Sequence, residues 1–294
     1  MQFNKSYFKL HFLVVLWGFT AILGLMIKLS FIEVVFYRTL FAFLALAIIL
    51  QITRIGFFIR PREVIKLLLT GVVISFHWLL FFGAARYSNA SVSLIGLSTT
   101  ALWTSLIEPI VHKRKISVIE IIFGLAVIAG LYIIYNDDFT YGLGLLMSLG
   151  SALFAAIFTV MNYGFIRKYD AISITFYEMV GAWLTTIPFL WLMRTEGASL
   201  LSLPTWSDTG YLLILALVCT VYANSVATKL LKEFTAFSSN LIINMEPVYG
   251  ILLALLIFGD SERMNTSFYL GALSIIAAVF IYPIFLRKFQ RKIR

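Results

Sequence analysis

Ten apolar runs, each long enough to cross a lipid bilayer, take up almost the whole chain. About 20 apolar residues of helix span the hydrocarbon core. Because lipid offers no hydrogen-bond partners, single runs of this length satisfy their backbone groups as helices. The sequence therefore predicts an all-α membrane protein with ten transmembrane helices. The runs are residues 8–27, 31–52, 64–85, 90–111, 117–135, 142–166, 171–193, 208–228, 235–258 and 267–286.

The composition agrees with burial in lipid. Of the 294 residues 13% are charged, against about 25% in soluble domains. Lys5 lies before the first run and Lys9 at its start, as cations precede the apolar part of a secretory signal, but the run is long for a signal and no A-x-A cleavage site follows. We therefore expect the first run to remain in the mature protein. Cys219 is the single cysteine, and we expect it to be a packing residue.

The cations that produce the net charge of +9 are distributed unequally between the two sides of the membrane, which argues against a nucleic-acid partner. With a cytoplasmic N-terminus, 18 of the 23 Lys and Arg residues fall in cytoplasmic segments, and Arg38 falls within the second run. The four on the opposite side are Lys28, Arg86, Arg194 and Arg263. By the positive-inside rule we expect both termini to be cytoplasmic, in the plasma membrane, such as a bacterial inner membrane. Residues 113–115 and 287–294 are expected to contact anionic membrane lipids.

The two halves of the chain resemble each other weakly. At an offset of 140 residues VFYRTLFAFL meets TFYEMVGAWL, and the other matches lie at an offset of 147. Those pairs are Ser91 with Ser238, Leu94 with Leu241, Leu106 with Leu253, Gly124 with Gly271 and Tyr135 with Tyr282. Because five crossings is an odd number, the second copy enters from the opposite side. The sequence thus predicts two inverted five-helix repeats, residues 1–138 and 139–294, as in many secondary transporters.

The segment LIINMEPVYGILLALLIFGDSERMNTSFYLGALSIIAAVFIY, residues 241–282, resembles the fourth and fifth helices of an EamA-type domain of the drug/metabolite transporter superfamily. WGFTAI and FYRTLFAFLALA, in the first two runs, extend the resemblance. It implies a ten-helix exporter of small metabolites. It further implies a central cavity formed mainly by the first four helices of each half, with the fifth helix peripheral.

The resemblance also places the family's Glu-Pro motif at Glu246 and Pro247, and its following acidic residue near Asp260 and Glu262. The first half departs from this pattern. Its own Glu-Pro pair, Glu108 and Pro109, lies nine residues late in the repeat register, where Thr99 and Thr100 take the equivalent place. We therefore do not treat Glu108 as the counterpart of Glu246.

Glu246 lies near the middle of the ninth run, where a charge costs roughly 2.5–3.5 kcal/mol and usually faces a cavity or a partner. Asn240 and Asn244 lie to one side of it on a helical wheel, as does Pro247, which frees backbone carbonyls one turn earlier. We expect Glu246, Asn240 and Asn244 to bind solute or a coupling cation, and Pro247 to bend the helix during gating. The alternative is a carboxylate that serves packing alone.

His77 and Trp78 lie midway along the third run, and the offset of 147 relates them to Asn224 and Ser225. His77 could bind a substrate carboxylate or relay a proton with Glu246, or it could simply join two helices. We include His77, Trp78 and Asn224 among the candidate substrate-binding residues.

Arg38 and Glu178 are repeat equivalents, which the inverted topology places towards opposite sides of the membrane. They therefore cannot form one salt bridge. Each could gate its own side with a local partner, or form a static pair, and Arg38 could instead snorkel to the interface.

Aromatic and hydroxyl side chains near the middle of several runs could form the walls of a solute pocket. The same aromatic residues could equally face lipid. These candidates are Trp17, Thr20, Thr99, Thr100, Phe154 and Phe158.

No signature of an enzyme or an ATP-driven pump accompanies these features. The sequence has no P-loop, no H-E-x-x-H and no G-x-S-x-G, and its three histidines lie at different depths. We therefore expect a secondary transporter, without cofactor or metal, that exports small amphipathic metabolites such as amino acids or related amines by alternating access. The choice of solute depends largely on the resemblance. A channel or a structural membrane subunit is the alternative.

Overall fold

The described residues of the computed structural model, 2–55, 59–113, 118–137, 141–193 and 200–290, fold into helices joined by short turns. The α-helices are α1 (Gln2–Met26), α2 (Phe31–Thr53), α3 (Pro61–Tyr87), α4 (Ala90–Leu97), α5 (Thr100–His112), α6 (Val118–Asp137), α7 (Gly142–Phe165), α8 (Ala171–Leu192), α9 (Trp206–Leu213), α10 (Ala223–Leu230), α11 (Ala236–Ile243), α12 (Glu246–Phe258) and α13 (Thr266–Gln290). Of the cations used to predict the topology, those outside these residues are Arg114, Lys115, Arg194, Arg291, Lys292 and Arg294.

The thirteen helices make ten crossing segments, because three of the predicted spans are interrupted. The fourth span is α4 followed by α5, and the ninth is α11 followed by α12. The eighth consists of α9, a π-helix (Ile214–Tyr222) and α10. Within the described residues, seven segments are long and apolar enough to cross a membrane. The predicted all-α architecture is confirmed, whereas run length alone did not predict the interruptions.

The breaks in the fourth and ninth spans occupy matching places in the two halves. Each span has an eight-residue helix and a thirteen-residue helix, separated by two residues. Their ends correspond at an offset of 146 rather than the predicted 147, so Thr100, not Thr99, takes the place of Glu246. The second helices of both halves, α2 and α8, begin at the predicted offset of 140.

Different local chemistry produces the two breaks. In the first half, the hydroxyls of Ser98 and Thr99 donate to the carbonyls of Ile95 and Gly96 at 2.6 and 2.9 Å, and such back-bonding competes with helix continuation. In the second half, Pro247 lies in the first turn of α12 and has no backbone N–H to offer α11. Both breaks leave a helix N-terminus inside the protein.

Small residues let helices of the two halves approach closely, as expected in membranes. Where α3 crosses α8, a Cβ atom on Gly71 would overlap the carbonyl oxygen of Glu178, and one on Gly181 would overlap that of Leu68. Where α1 crosses α12, a Cβ atom on Gly18 would lie 3.1 Å from the backbone nitrogen of Gly250. These contacts hold the two halves around a shared centre.

Candidate functional site

A cavity of about 860 Å³, including the part open to solvent, lies between the two halves. Its walls come from the first four spans of each half, as the resemblance implies. Neither α6 nor α13, the fifth helix of each half, contributes a described residue to the wall. The cavity is therefore a product of both repeats.

Most of the candidate residues predicted from the sequence line this cavity. They are Trp17, Thr20, Arg38, His77, Trp78, Thr100, Phe158, Glu178, Asn224, Asn240 and Glu246.

Four predicted residues lie outside the wall. The Thr99 hydroxyl is bound to the carbonyl of Gly96, and Phe154 stacks on Phe76 with ring centroids 5.3 Å apart. Asn244 is buried at the break before α12, and Pro247 is buried in the first turn of that helix. These four side chains point away from the cavity.

Arg38 is a deeply buried charged residue of the wall, at 1% exposure. Its Nε donates to the Thr220 hydroxyl at 2.7 Å, and its guanidinium carbon lies 4.1 Å from the ring centroid of Trp78. Stacking on an aromatic face stabilises a guanidinium as a cation–π contact. The alternative that Arg38 snorkels to the interface is therefore wrong, because its head group is held inside the cavity wall.

The π-helix of the eighth span supplies a further partner for this group. The Thr220 hydroxyl donates to the carbonyl of Leu215, five residues earlier, at 2.8 Å. The carbonyl of Cys219 accepts from Trp17 Nε1 at 3.0 Å and from Arg38 Nη2 at 3.4 Å. π-Helical turns are frequent at functional sites because they change which backbone groups are exposed. Here the π-helix orients two side chains of the cavity wall.

Glu246 shares the cavity with Arg38, and the two charges interact electrostatically. Glu246 is also the first residue of α12. The positive end of a helix dipole favours an anion in the first turn. Both features favour a negative charge on Glu246, and burial of the residue, which is only 5% exposed, opposes it.

Glu178 lies in the same cavity but has different neighbours. The side chain of Asn162, on α7, is within hydrogen-bonding reach of its carboxylate. Its Oε1 atom has no hydrogen-bond partner among the described residues. The prediction that Arg38 and Glu178 do not form one salt bridge agrees with this arrangement.

His77 joins α3 to α7 and also faces the cavity. Its Nδ1 lies 3.0 Å from the Ser151 carbonyl and 2.8 Å from the Ser151 hydroxyl. A carbonyl only accepts, so Nδ1 carries the proton and donates to it. The imidazole packs against Phe158, with centroids 5.5 Å apart. In the described structure His77 thus has the helix-joining role, and it does not hydrogen-bond to Glu246.

Sequence reasoning missed several polar residues of the wall. On α7, Asn162 lies one turn after Phe158 and Thr159 lies one residue after it. Thr228 lies in the last turn of α10. Ser239, which a helical wheel of the sequence places on one stripe with Glu246, adds a hydroxyl from α11. The signal was present for Asn162, because it is a polar residue in an apolar run one helical turn after Phe158, a predicted wall residue.

The cavity extends from mid-depth towards the side of the membrane that holds the N-terminus. Thr228 is near the end of the eighth span and Ser239 near the start of the ninth, and both of these ends lie on that side. On the opposite side, Arg86 donates to the carbonyls of Gly24 and Leu29 at 3.0 and 3.1 Å. Contacts of this kind tie the helix ends together there.

Two buried carboxylates join the fourth spans of the two halves. Glu262, just after α12, accepts from the backbone nitrogens of Ala90 and Ser91, both at 2.9 Å, at the start of α4. Glu108, near the end of α5, accepts from the backbone nitrogen of Phe237 at 2.9 Å, at the start of α11. These contacts, which we call the Glu262 clasp and the Glu108 clasp, lie on opposite sides of the membrane.

Comparisons with known proteins agree with this architecture. The model of a family described as the EamA-like transporter family matches residues 5–136 and 142–282. One solved structure, described only as a crystal structure of a protein, superposes with a TM-score of 0.70 at 13% identity, covering 96% of this chain and 98% of its own. At that identity the likeness shows the fold alone. No curated protein sequence matches significantly.

Proposed function

Because the chain belongs to the EamA-like transporter family, we propose that it exports a small amphipathic metabolite, with amino acids and related amines as the first candidates. The protein is a multi-pass membrane transporter built from two EamA repeats, which we place at residues 1–138 and 139–294. The solute passes through the central cavity by alternating access.

The observation that carries this proposal is the composition of the cavity wall. Arg38 and Glu246 supply opposite charges, and Phe158 and Trp78 supply aromatic surface. An amphipathic solute with an ionised group and an apolar part matches both kinds of surface. A purely apolar solute would leave these charges without a partner, which is costly in a buried site.

The interrupted spans support movement by alternating access. Transporters of inverted repeats bind solute at the midplane, where broken helices end, and exchange two packings of similar energy. Here the fourth and ninth spans both break at mid-depth, and Thr100 and Glu246, the first residues after the breaks, line the cavity. We propose that these breaks are the points at which the halves bend.

Export as the direction follows the resemblance to EamA-type exporters, and the charge distribution gives the orientation of the cavity. By the positive-inside rule the side with most of the cations is cytoplasmic. Both termini then lie in the cytoplasm, and the protein lies in the plasma membrane. The cavity then extends towards the cytoplasm, where a metabolite for export would enter.

Counterflow in proteoliposomes tests the proposal, with amino acids, polyamines, nucleosides and quaternary amines first screened by thermal shift. We expect saturable, competable flux of the solute that stabilises the protein most. Glu246→Gln should lose at least about tenfold in flux, because a neutral amide forfeits a charge-assisted contact worth roughly 1.5–3 kcal/mol. It should still insert and purify.

Asp260→Asn is the matched control, because Asp260 is an exposed carboxylate paired with Arg263 outside the cavity. Its flux should equal that of the unaltered protein. Equal flux for Glu246→Gln would reduce Glu246 to a packing residue. Flux that rises linearly with concentration would indicate a channel, and no flux of any solute would indicate a structural subunit.

A further inference from the structure

One amino group of the Arg38 guanidinium has no acceptor. Arg38 is almost fully buried, and its Nη1 atom has no hydrogen-bond partner in the part of the chain that the structure describes. A guanidinium carries five N–H donors, accepts nothing and stays protonated in proteins. Because buried polar groups in native proteins are nearly always paired, Nη1 requires an acceptor. A negatively charged acceptor would make the strongest bond to it.

The acceptors next to this guanidinium are already in use. The Thr220 hydroxyl accepts from Arg38 Nε and donates its own proton to the carbonyl of Leu215. The Cys219 carbonyl accepts from Arg38 Nη2 and from Trp17 Nε1, so both of its lone pairs are occupied. These bonds hold the edge of the guanidinium that Nε and Nη2 share. Nη1 lies outside that edge.

Aromatic rings pack beside the guanidinium and supply no acceptor in its plane. Its central carbon lies 4.1 Å from the ring centroid of Trp78 and 5.7 Å from that of Phe82. A ring over the face stabilises the cation but leaves the in-plane N–H bonds unpaired. Nη1 and Nη2 form a second edge, from which two parallel N–H bonds can be donated to one planar anion.

The carboxylates of the cavity wall do not pair directly with this cation. Glu246 interacts with Arg38 electrostatically, yet no ion pair of the described residues includes Arg38. Glu178, the other carboxylate of the wall, has Asn162 as its hydrogen-bonding neighbour. A buried charge without a contacting counter-charge is costly. Because Arg38 is part of the wall of the cavity, a solute can supply the anion that the chain itself does not.

We propose that the Nη1–Nη2 edge of Arg38 binds the carboxylate of the transported solute, and that Thr220 positions this edge. A carboxylate is planar and can accept both N–H bonds in the plane of the guanidinium. This inference rests on the proposed function and narrows it. Among the first candidates it keeps the amino acids and excludes amines that have no carboxylate.

The π-helix gives Thr220 its positioning role. A threonine hydroxyl in an α-helix bonds to a carbonyl three or four residues earlier, whereas the Thr220 hydroxyl bonds to the carbonyl of Leu215, five residues earlier, at 2.8 Å. This bond uses the hydroxyl proton, so the oxygen presents a lone pair to Arg38 Nε at 2.7 Å. The hydroxyl thus fixes one edge of the guanidinium and leaves the other for the solute.

Acetate and acetamide test the anion site without a transport assay, because the two probes have similar size and shape and only acetate is charged. In protein that contains isotope-labelled arginine, the nuclear magnetic resonance signal of the Arg38 guanidinium is identified by its loss in Arg38→Lys. We expect acetate to shift this signal to saturation, and acetamide to require at least about tenfold higher concentration. The signals of Arg86 and Arg263, which are outside the cavity wall, should not show this saturable shift.

Equal effects of acetate and acetamide, or no saturable effect of acetate, would overturn the assignment. Sodium chloride at the same concentration should leave the Arg38 signal in place. The same saturable shift with chloride would overturn the carboxylate as the ligand. A protein that transports no solute can still bind acetate at Arg38, so failure of the proposed function is distinguishable from failure of the anion site.

Thr220→Val and Thr220→Ser test the positioning role. Valine keeps the shape of threonine but offers no acceptor to Arg38 Nε, so acetate should bind roughly tenfold more weakly. Serine keeps the hydroxyl and should restore the affinity. Unchanged acetate affinity in Thr220→Val would overturn the positioning role. If Arg38→Lys does not fold, the Arg38 signal is identified by its displacement in Thr220→Val, because Nε loses its acceptor there.

Discussion

Arg38 is positioned by three residues from two other spans, and these contacts determine which interactions a substituted side chain can still make. A lysine keeps the charge but cannot both donate to Thr220 and Cys219 and stack its head group flat on Trp78. We expect Arg38→Lys to lower stability by about 1–2 kcal/mol, seen as a lower melting temperature in detergent. Arg263→Lys, at an exposed ion pair, should melt unchanged. Equal melting temperatures for both variants would contradict this account of Arg38.

The position of single residues along a span could be predicted, but the face of the helix on which each side chain lies could not. Arg38, Glu178 and Glu246 were identified because polar residues within apolar runs are costly and therefore have a partner or a cavity. The contact of Arg38 with the Cys219 carbonyl was not predictable, because it depends on the π-helix. In a span that is apolar on all sides, the spacing of apolar residues does not distinguish a π-helix from an α-helix. Phe154 was misplaced for the same reason: an evenly apolar helix does not show which face is buried.

Helix packing between the halves depends on glycines at the crossing of α3 and α8. A Cβ atom on Gly181 would overlap the Leu68 carbonyl oxygen, and backbone cannot move aside as a side chain can. We expect Gly181→Ala to cost about 1–3 kcal/mol through overpacking, measured as a lower melting temperature. Gly210→Ala is the matched control, because a Cβ atom there meets nothing within 4 Å. It should melt at the same temperature or slightly higher. Equal loss in both variants would mean that the crossing of α3 and α8 is not the cause of the loss.

The breaks in the spans show how far local sequence signals reach. Pro247 marks the break in the ninth span, because it removes a backbone donor in any context. The break in the fourth span carries no proline. Serine and threonine, the residue types at positions 98 and 99, also occur within continuous helices, so they do not mark a break by themselves. Its position becomes predictable only once the inverted repeat is recognised and the second half is used as the template for the first.

The two clasps lie on opposite sides of the membrane, and each joins the fourth spans of the two halves. In each, a carboxylate at the end of one half's fourth span caps the start of the other half's fourth span. Each clasp ties the two fourth spans together on its own side, so each stabilises that contact locally. Each hydrogen bond between a charged carboxylate and a backbone nitrogen contributes about 1.5–3 kcal/mol.

Hydrogen–deuterium exchange of single amides can separate the two clasps. An amide at position 262 or 108 presents an NH2 group and a weaker acceptor to the backbone donors that the carboxylate now caps. We expect Glu262→Gln to speed exchange at Ala90 and Ser91, roughly tenfold or more, and to leave Phe237 unchanged. Glu108→Gln should do the reverse. If either variant speeds exchange at both ends equally, the carboxylates stabilise the molecule as a whole and do not control its two sides separately. Side-specific exchange would mean that the two repeats can part on one face while they remain joined on the other, which is the movement that alternating access requires.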